Sequence, residues 1–191
     1  MKTFMKGIGG GFLIGIGGAV FLACDDRIIG AVLFSIALMA ICGTGAWLYT
    51  GKVCYKTSIK ELSTGLFGNV VGVMLAAIPT VLCSPVFRDN ATALMTAKLA
   101  QPGYETIARG IMCEACIYIA VEIWKRHNTL IGVFVAVPVF ILAGFEHSIF
   151  DVYCMLMSGI VSTQPFLALI GNTIGGIAIM MFNECIGRME S

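Results

Sequence analysis

His147 is the residue in this sequence best suited to proton chemistry. The chain has two histidines; His127 lies in a basic loop, whereas His147 stands between Glu146 and Ser148 with apolar sequence on both sides. A histidine side chain has a pKa of about 6.5 and exchanges protons near neutral pH. Because an ionisable group is costly to bury among apolar residues unless it is used, we predict that His147 serves function.

Four further polar residues interrupt the apolar sequence. Asn69 and Asn172 each lie in a G-N-x-x-G motif, where the amide would bind either free backbone groups or a permeating solute. Glu146 adjoins His147, and we predict that its carboxylate supports the chain there by capping free N–H groups at a helix start. Glu114 lies within the otherwise apolar segment 107–124.

Residue spacing argues against enzymatic and metal sites. Cys113 and Cys116 form a C-x-x-C pair, but inside an apolar segment they are predicted to pack as small hydrophobic residues. No second His or Cys has metal-ligand spacing to His147, and no Ser-His-Asp or Cys-His arrangement is evident. The glycine-rich stretch 7–18 lacks the Lys-Ser/Thr of a phosphate-binding loop. We therefore predict neither an enzyme nor a bound metal or cofactor.

The elements that position these residues are membrane helices. Hydrophobic residues make up 58% of the 191 residues, charged residues 12%, and mean hydropathy is +0.92, so the chain cannot coat itself with polar surface. A net charge of +1 argues against a nucleic-acid partner. Spans of about 20 apolar residues are predicted in 4–23, 28–49, 62–87, 107–124 and 129–145, and the run 152–183 completes span five and forms span six after Pro165.

The short loops predict the orientation of the spans. With both termini inside, eight Lys and Arg residues face the cytoplasm and four face the other side. The inner residues are Lys2, Lys6, Lys52, Lys56, Lys60, Lys125, Arg126 and Arg188. Since cytoplasmic loops carry the excess of Lys and Arg, we expect a multi-pass protein of the inner (cytoplasmic) membrane with both termini cytoplasmic. The first span lacks a small-residue cleavage site and is predicted to be retained.

The chain also contains an internal repeat. K-G-I at 6–8 matches R-G-I at 109–111, I-G at 29–30 matches I-G at 131–132, and G-N-V-V-G at 68–72 matches G-N-T-I-G at 171–175. Three spans per repeat is an odd number, so the second copy must enter the membrane from the opposite side. We therefore predict an all-α membrane protein, one transmembrane domain over 1–191, with an inverted 3+3 repeat of halves about 1–88 and 104–191.

Two corresponding spans are predicted to be broken. Glycines and hydroxyls cluster at 43–51, at the end of span two, and at 143–148, in span five. Non-helical backbone at membrane depth is tolerated only where protein or a water-filled cavity satisfies it. Paired interruptions in the two halves therefore indicate the permeation site.

The motifs resemble those of the formate/nitrite transporter family. The most specific is G-F-E-H-S at 144–148, which resembles the family signature at the break in span five, and L-Y-T-G at 48–51 resembles the loop at the break in span two. F-G-N at 67–69 and G-N-T-I-G-G at 171–176 are similar to its motifs in spans three and six. The resemblance covers essentially the whole chain and implies homopentamers of six-span, aquaporin-like protomers, each with its own pore.

The resemblance also implies roles for individual residues. His147 would be the central pore histidine and Thr50 the loop threonine, with Asn69, Asn172 and Glu114 along the substrate pathway. Lys98 would make the entrance electropositive. The resemblance places Phe34 and Leu38 in the cytoplasmic constriction and Leu48 and Phe140 in the periplasmic constriction.

Three positions depart from the family pattern. Trp47 stands where an acidic residue usually precedes the span-two loop motif, and Glu114 and Asp151 occupy positions that are usually Asn. A carboxylate near His147 or Lys98 would stabilise the charged form of either residue. These departures are therefore expected to alter the pH response and the substrate range, and to leave the fold unchanged.

The expected function is a membrane channel or transporter for small monovalent anions, such as formate, nitrite or hydrosulfide, or their conjugate acids. A bare anion is costly to desolvate in an apolar constriction, whereas its neutral acid is much less so. The alternative is a neutral-solute channel of the water or glycerol type, although the paired Asn-Pro-Ala motifs of aquaporins are absent. A membrane redox enzyme would need a haem or quinone ligand set, and the sequence offers no suitable histidine pair.

Overall fold

The computed structural model describes residues 1–189, with side chains described through Cys185. Residues 190 and 191, and the side chain of Arg188 counted above, lie outside the described part. The described chain is all-helical, as predicted. Its eight helices are α1 (Lys2–Ala23), α2 (Arg27–Thr44), α3 (Ile59–Cys83), α4 (Pro85–Leu99), α5 (Gly103–His127), α6 (Ile131–Leu142), α7 (Ser148–Ser158) and α8 (Gln164–Met189).

Two helix pairs pack closely through glycines. In the pair α1 and α3, a Cβ atom added to Gly7 would lie 2.6 Å from the carbonyl oxygen of Gly65. In the pair α5 and α8, a Cβ atom added to Gly110 would lie 2.8 Å from the carbonyl oxygen of Ala168. Both distances are shorter than a non-bonded contact allows, so only glycine permits these backbones to approach so closely.

Glycines also end the helices on either side of the candidate site. Gly45 follows α2 with φ +67°, and the segment 45–58 that leads to α3 is not helical. Gly144 follows α6 with φ +74°, and α7 begins after the short non-helical segment 143–147. A positive φ is readily adopted only by glycine, so both chain reversals require that residue.

Helix α4 lies between the predicted spans three and four and was not predicted from the sequence. The Ser84 hydroxyl accepts a hydrogen bond from the N–H of Val86, and Pro85 occupies the first turn, where its missing N–H costs nothing. The mean hydropathy of α4 is low, so it does not show the apolar run that indicates a membrane span. Pro165 likewise lies in the first turn of α8, after the non-helical residues 159–163.

Several helices have the composition of membrane spans. Helices α1, α2, α3 and the part of α8 through Cys185 are long and apolar enough to cross a membrane, and α6 and α7 are shorter apolar helices. Large apolar side chains such as Ile36, Ile78 and Phe182 are more than half exposed. An exposed apolar surface of this kind suits lipid or another protein chain rather than water.

Candidate functional site

Two cavities enter the protein from opposite ends of α2. The larger has a volume of about 530 Å³ and is lined by Arg27 at the start of α2, together with Lys98, Phe140 and Glu146. The smaller has a volume of about 100 Å³ and is lined by residues at the end of α2, including Leu38 and Gly45. Since α2 has 18 residues at ~1.5 Å each, its ends lie about 27 Å apart.

His147 and Thr50 meet between the two cavities. Both side chains are buried, and the Nε2 atom of His147 lies 3.1 Å from the Oγ1 atom of Thr50. Glu146, which precedes His147, lines the larger cavity, whereas Gly51, which follows Thr50, lines the smaller. The ring of Phe140 stacks on the imidazole with centroids 5.9 Å apart. The structure therefore brings together two residues 97 positions apart that the sequence analysis had placed at separate breaks.

The start of α7 determines which nitrogen of His147 carries the proton. The N–H of Phe150 donates to Nδ1 of His147, at 3.2 Å, so the imidazole is the N-cap of α7. A ring nitrogen that accepts a hydrogen bond carries no proton, so in the neutral imidazole the proton is on Nε2. The Nε2–H group then donates to the Thr50 hydroxyl. Protonation of Nδ1 would require His147 to give up the helix cap.

Asn69 and Asn172 bind backbone groups at corresponding places in the two halves. The Asn69 amide donates to the carbonyl oxygens of Gly7 and Trp47, both at 2.8 Å, and accepts from the N–H of Tyr49, at 2.9 Å. The Asn172 amide makes the same three kinds of bond. It donates to the carbonyl oxygens of Gly110 and Glu146, at 2.9 and 3.0 Å, and accepts from the N–H of Ser148, at 3.1 Å. Of the two alternatives left open by the sequence, these contacts favour binding of free backbone groups.

The surroundings of Lys98 differ from the sequence expectation. Its ammonium lies 2.9 Å from Oδ1 of Asp151 and also forms an ion pair with the carboxylate of Glu146. The Lys98 side chain is only 12% exposed. Two carboxylates surround its charge, so Lys98 presents less positive potential to the cavity than an unpaired lysine would, and its role at the entrance stays a prediction.

Glu146 therefore does not cap α7, contrary to the role first assigned to its carboxylate. The capping acceptor is the imidazole of His147, and the Glu146 carboxylate turns to Lys98. The reason is geometric, since the residue directly before a helix is best placed to accept from its first free N–H groups. The wider prediction that Glu146 supports the break stays a prediction.

The structure sorts the four apolar constriction residues into different pairs from those predicted. Phe140 lines the larger cavity, and Phe34 makes an edge contact with Phe150, which also lines it, with ring centroids 5.1 Å apart. Leu38 and Leu48 both line the smaller cavity. The predicted pairs, Phe34 with Leu38 and Leu48 with Phe140, therefore do not share a cavity wall in the described structure, and the constriction roles of these residues stay a prediction. Phe34 lies one helical turn before Leu38 on α2 and contacts Phe150 of the larger cavity, whereas Leu38 lines the smaller cavity.

Comparison with known proteins identifies the family. The family model described as formate/nitrite transporter matches residues 1–185, which is nearly the whole chain. The chain belongs to the formate/nitrite transporter family. It is thus a transmembrane transport protein of a family of channels and transporters, not of enzymes, and the resemblance inferred from the motifs is confirmed. The neutral-solute alternative of the water or glycerol type receives no support from these matches.

Individual relatives are distant in sequence. Over 192 residues the chain is 24% identical to the formate channel FocA of Escherichia coli K12, covering 84% of this chain and 67% of that protein. It is 24% identical over 184 residues to the formate-nitrite transporter of Plasmodium ovale, covering 77% of this chain and 59% of that protein. The chain thus spans about three fifths to two thirds of the length of these curated relatives.

Solved structures of the family share the fold. A structure described as a pentameric formate channel with formate bound matches with a TM-score of 0.82 and 20% identity, covering 97% of this chain and 96% of that chain. A second, described as an FNT family ion channel, matches with a TM-score of 0.77 and 18% identity, covering 97% of this chain and 88% of that chain. This family member therefore has the helical fold of those channels.

Glu114 is buried in this transporter without a polar partner in the described part of the chain. It is fully buried, and neither carboxylate oxygen has a hydrogen-bond partner among the described residues. It lines neither of the two cavities described above. Its predicted place on the substrate pathway therefore stays a prediction.

Sequence reasoning missed the aromatic cluster beside His147. Phe21 and Phe150 both line the larger cavity, and each makes an edge contact with Phe34, at centroid distances of 6.5 and 5.1 Å. The position of Phe150, three residues after His147, was a usable signal, because residues three apart share a helix face. Phe21 lies on α1 and carried no signal of this kind.

Proposed function

We propose that this protein conducts small monovalent anions such as formate, nitrite or hydrosulfide, or their conjugate acids, with His147 and Thr50 at the middle of the pore. The observation that carries the proposal is the buried contact between these two side chains, with a cavity on either side. The names of the relatives support the substrate class, since several are formate channels or formate-nitrite transporters.

The pore architecture belongs to the same proposal. Helices α6 and α7 together form a broken fifth span, α2 with segment 45–58 forms a broken second span, and α1, α3, α5 and α8 complete six spans in one domain over 1–191. The halves about 1–88 and 104–191 form an inverted repeat. The corresponding bonds of Asn69 and Asn172 support this repeat, as do the corresponding glycine contacts of α1 with α3 and α5 with α8.

We assign the assembly and the orientation by inference from the family and the loop charges. The protomers form a homopentamer in the bilayer of the inner membrane, with both termini cytoplasmic. The structural match to a pentameric formate channel supports the pentamer. With this orientation, the larger cavity opens to the periplasm and the smaller to the cytoplasm. Phe34 and Phe140 then form the periplasmic constriction, and Leu38 and Leu48 the cytoplasmic one.

The geometry supports passage of a substrate that can change its protonation state. Between the two apolar constrictions, the Nε2–H group of His147 would donate to a carboxylate or nitrite oxygen in exchange for its bond to the Thr50 hydroxyl. A bare anion loses its hydration at each constriction, whereas the neutral acid crosses at much lower cost. His147 therefore provides the polar contact midway, and Thr50 holds its Nε2 atom in place.

Flux measurements in proteoliposomes test the proposal. Wild-type protein should carry formate and nitrite much faster than glycerol. His147→Phe should abolish the flux because it removes both the donor and the cap of α7, and Thr50→Val should reduce it roughly 2- to 10-fold, the value of one net hydrogen bond. Thr80→Val is the matched control, since the buried Thr80 hydroxyl donates to the Ala76 carbonyl oxygen of its own helix. Wild-type rates toward formate and nitrite no higher than in empty liposomes would refute the proposal.

A further inference from the structure

Two lysines line the smaller cavity, at its opening between α5 and the segment after α2. Lys52 and Lys125 both contribute to the cavity wall, beside Leu38, Leu48 and Trp124. We propose that Lys52 and Lys125 form a binding site for a small monovalent anion, and that this site collects and releases substrate at the mouth opposite Lys98. The inference rests on the proposed function and adds a site that none of the motifs marks.

In the described structure, the ammonium group of Lys125 is positioned by an aromatic ring and not by a carboxylate. Its Nζ atom lies over the ring of Tyr55, 3.2 Å from the centroid. The Tyr55 hydroxyl in turn donates to Oε2 of Glu122, at 2.7 Å, which fixes the ring. A cation over an aromatic face is stabilised by the ring quadrupole and keeps its full positive charge.

The carboxylate of Glu122, near Lys125, binds other partners. Oε1 of Glu122 accepts from Nε of Arg126, at 2.7 Å, while Oε2 accepts from the Tyr55 hydroxyl. Among the side chains described through Cys185, neither Lys52 nor Lys125 forms an ion pair with a carboxylate. Two like charges that share one small cavity without a counter-ion favour the binding of an anion between them.

The size and the walls of the cavity suit a substrate of few atoms. A volume of about 100 Å³ corresponds to roughly three water molecules at ~30 Å³ each, which accommodates formate or nitrite. The inner wall is formed by Leu38 and Leu48, the apolar pair that the anion must next pass. Apolar walls strengthen the field of the two ammonium groups because they exclude water.

The other mouth is built differently. There Lys98 is held between Glu146 and Asp151, and Arg109 is paired with Glu105, so much of the positive charge is compensated. The smaller cavity combines two lysines with no lining carboxylate among the described residues. The two mouths should therefore differ in apparent affinity for anions, with tighter collection at the Lys52 and Lys125 end.

Uptake into oriented proteoliposomes, measured separately from each face, tests this site. At low ionic strength, Lys52→Gln with Lys125→Gln should raise the half-saturation concentration of formate from the smaller-cavity face by about 3- to 10-fold, as expected for lost electrostatic attraction. The maximal rate should change little. Salt at ~1 M, which shortens the Debye length to about 3 Å, should reduce the difference.

Two control variants separate charge from structure. Lys52→Arg with Lys125→Arg keeps both charges and should retain the wild-type half-saturation concentration. Lys60→Gln removes one positive charge from an exposed position on α3 outside the cavity, and should leave the half-saturation concentration unchanged. If wild-type protein conducts formate and the double Gln variant has the same half-saturation concentration, the lysine site is overturned and the proposed function stands. If wild-type protein carries neither formate nor nitrite, the proposed function and the site are both overturned.

Discussion

The ammonium of Lys98 lies 2.9 Å from Oδ1 of Asp151, a pairing that joins α4 to α7 beside His147. Glu146 approaches the same ammonium, so two carboxyl groups share one lysine. The side chain of Asp151 is fully buried. Burying a charge without a partner is far more costly than burying a pair, so this group is expected to stabilise the site as a unit.

Replacement of Lys98 by Met should therefore destabilise the protein strongly. Both carboxylates lose their cation, at a cost of about 3–5 kcal/mol, whereas Asp151→Asn leaves the pair of Lys98 with Glu146 intact and should cost much less. Thermal unfolding in detergent measures both effects. The matched control is Lys56→Met, because the exposed pair of Lys56 with Glu184, at 3.1 Å, should contribute no more than about 1 kcal/mol. Equal melting temperatures for Lys98→Met and Lys56→Met would show that Lys98 is not needed to compensate the buried carboxylates.

The two proposed apolar constrictions should act in series. Phe34 belongs with the aromatic residues of the larger cavity and Leu38 with the smaller cavity, so each replacement by Ala widens one constriction only. We expect either single variant to keep excluding lactate, and the double variant to admit it at a rate within about tenfold of formate. Competing flux of formate and lactate in proteoliposomes measures the ratio, with Phe34→Leu and Leu38→Ile as conservative controls. Lactate flux in one single variant equal to that in the double variant would place selection at one constriction.

The two interior asparagines should contribute similarly to stability. Asn69→Ala and Asn172→Ala each leave one carbonyl oxygen outside the helices and one N–H group without a partner and also remove a bond to a carbonyl oxygen within a helix, and each buried group left unpaired costs about 1–3 kcal/mol. Asn90→Ala is the control, since its described side-chain bond is a single donation to the Leu22 carbonyl oxygen, at 2.8 Å. We expect comparable losses in melting temperature for the first two variants and a smaller loss for the third. If Asn90→Ala lowers the melting temperature as much as the other two variants, the number of hydrogen bonds lost does not determine the loss of stability.

Glu114 should be dispensable for stability. Neither carboxyl oxygen has a partner among the described residues, and a fully buried carboxyl group without a partner is held as the neutral acid, so Glu114→Gln replaces one neutral side chain by another and should leave the melting temperature nearly unchanged. Glu122→Gln is the contrasting variant and should lower it, because Glu122 accepts bonds from Tyr55 and Arg126. No ion pair or hydrogen bond joins Glu114 to His147 in the described structure, so the midpoint of formate uptake against pH should not move. A midpoint displaced by more than half a pH unit would instead place Glu114 on the substrate pathway.

The sequence by itself determined the membrane class, the helical composition and the family. Charge-free runs such as 28–49 and 62–87 indicate that the chain lies in lipid, because apolar side chains in such numbers cannot face water. The two G-N-x-x-G motifs, which match each other in the internal repeat, contain the residues Asn69 and Asn172, and the amides of these residues bind corresponding backbone groups in the two halves. Hydrophobic runs and short motifs are local features of the sequence, so they can be recognised without knowing which distant segments are in contact.

Only the tertiary structure decided the partners of the site residues. That Lys98 meets Asp151, that His147 rather than Glu146 caps α7, and that Leu38 pairs with Leu48 all follow from how separate helices pack. The cavity shared by Lys52 and Lys125 joins residues 73 positions apart. A side chain's electrostatic environment and constriction partners depend on such long-range contacts, and residue type and spacing along one helix do not specify them.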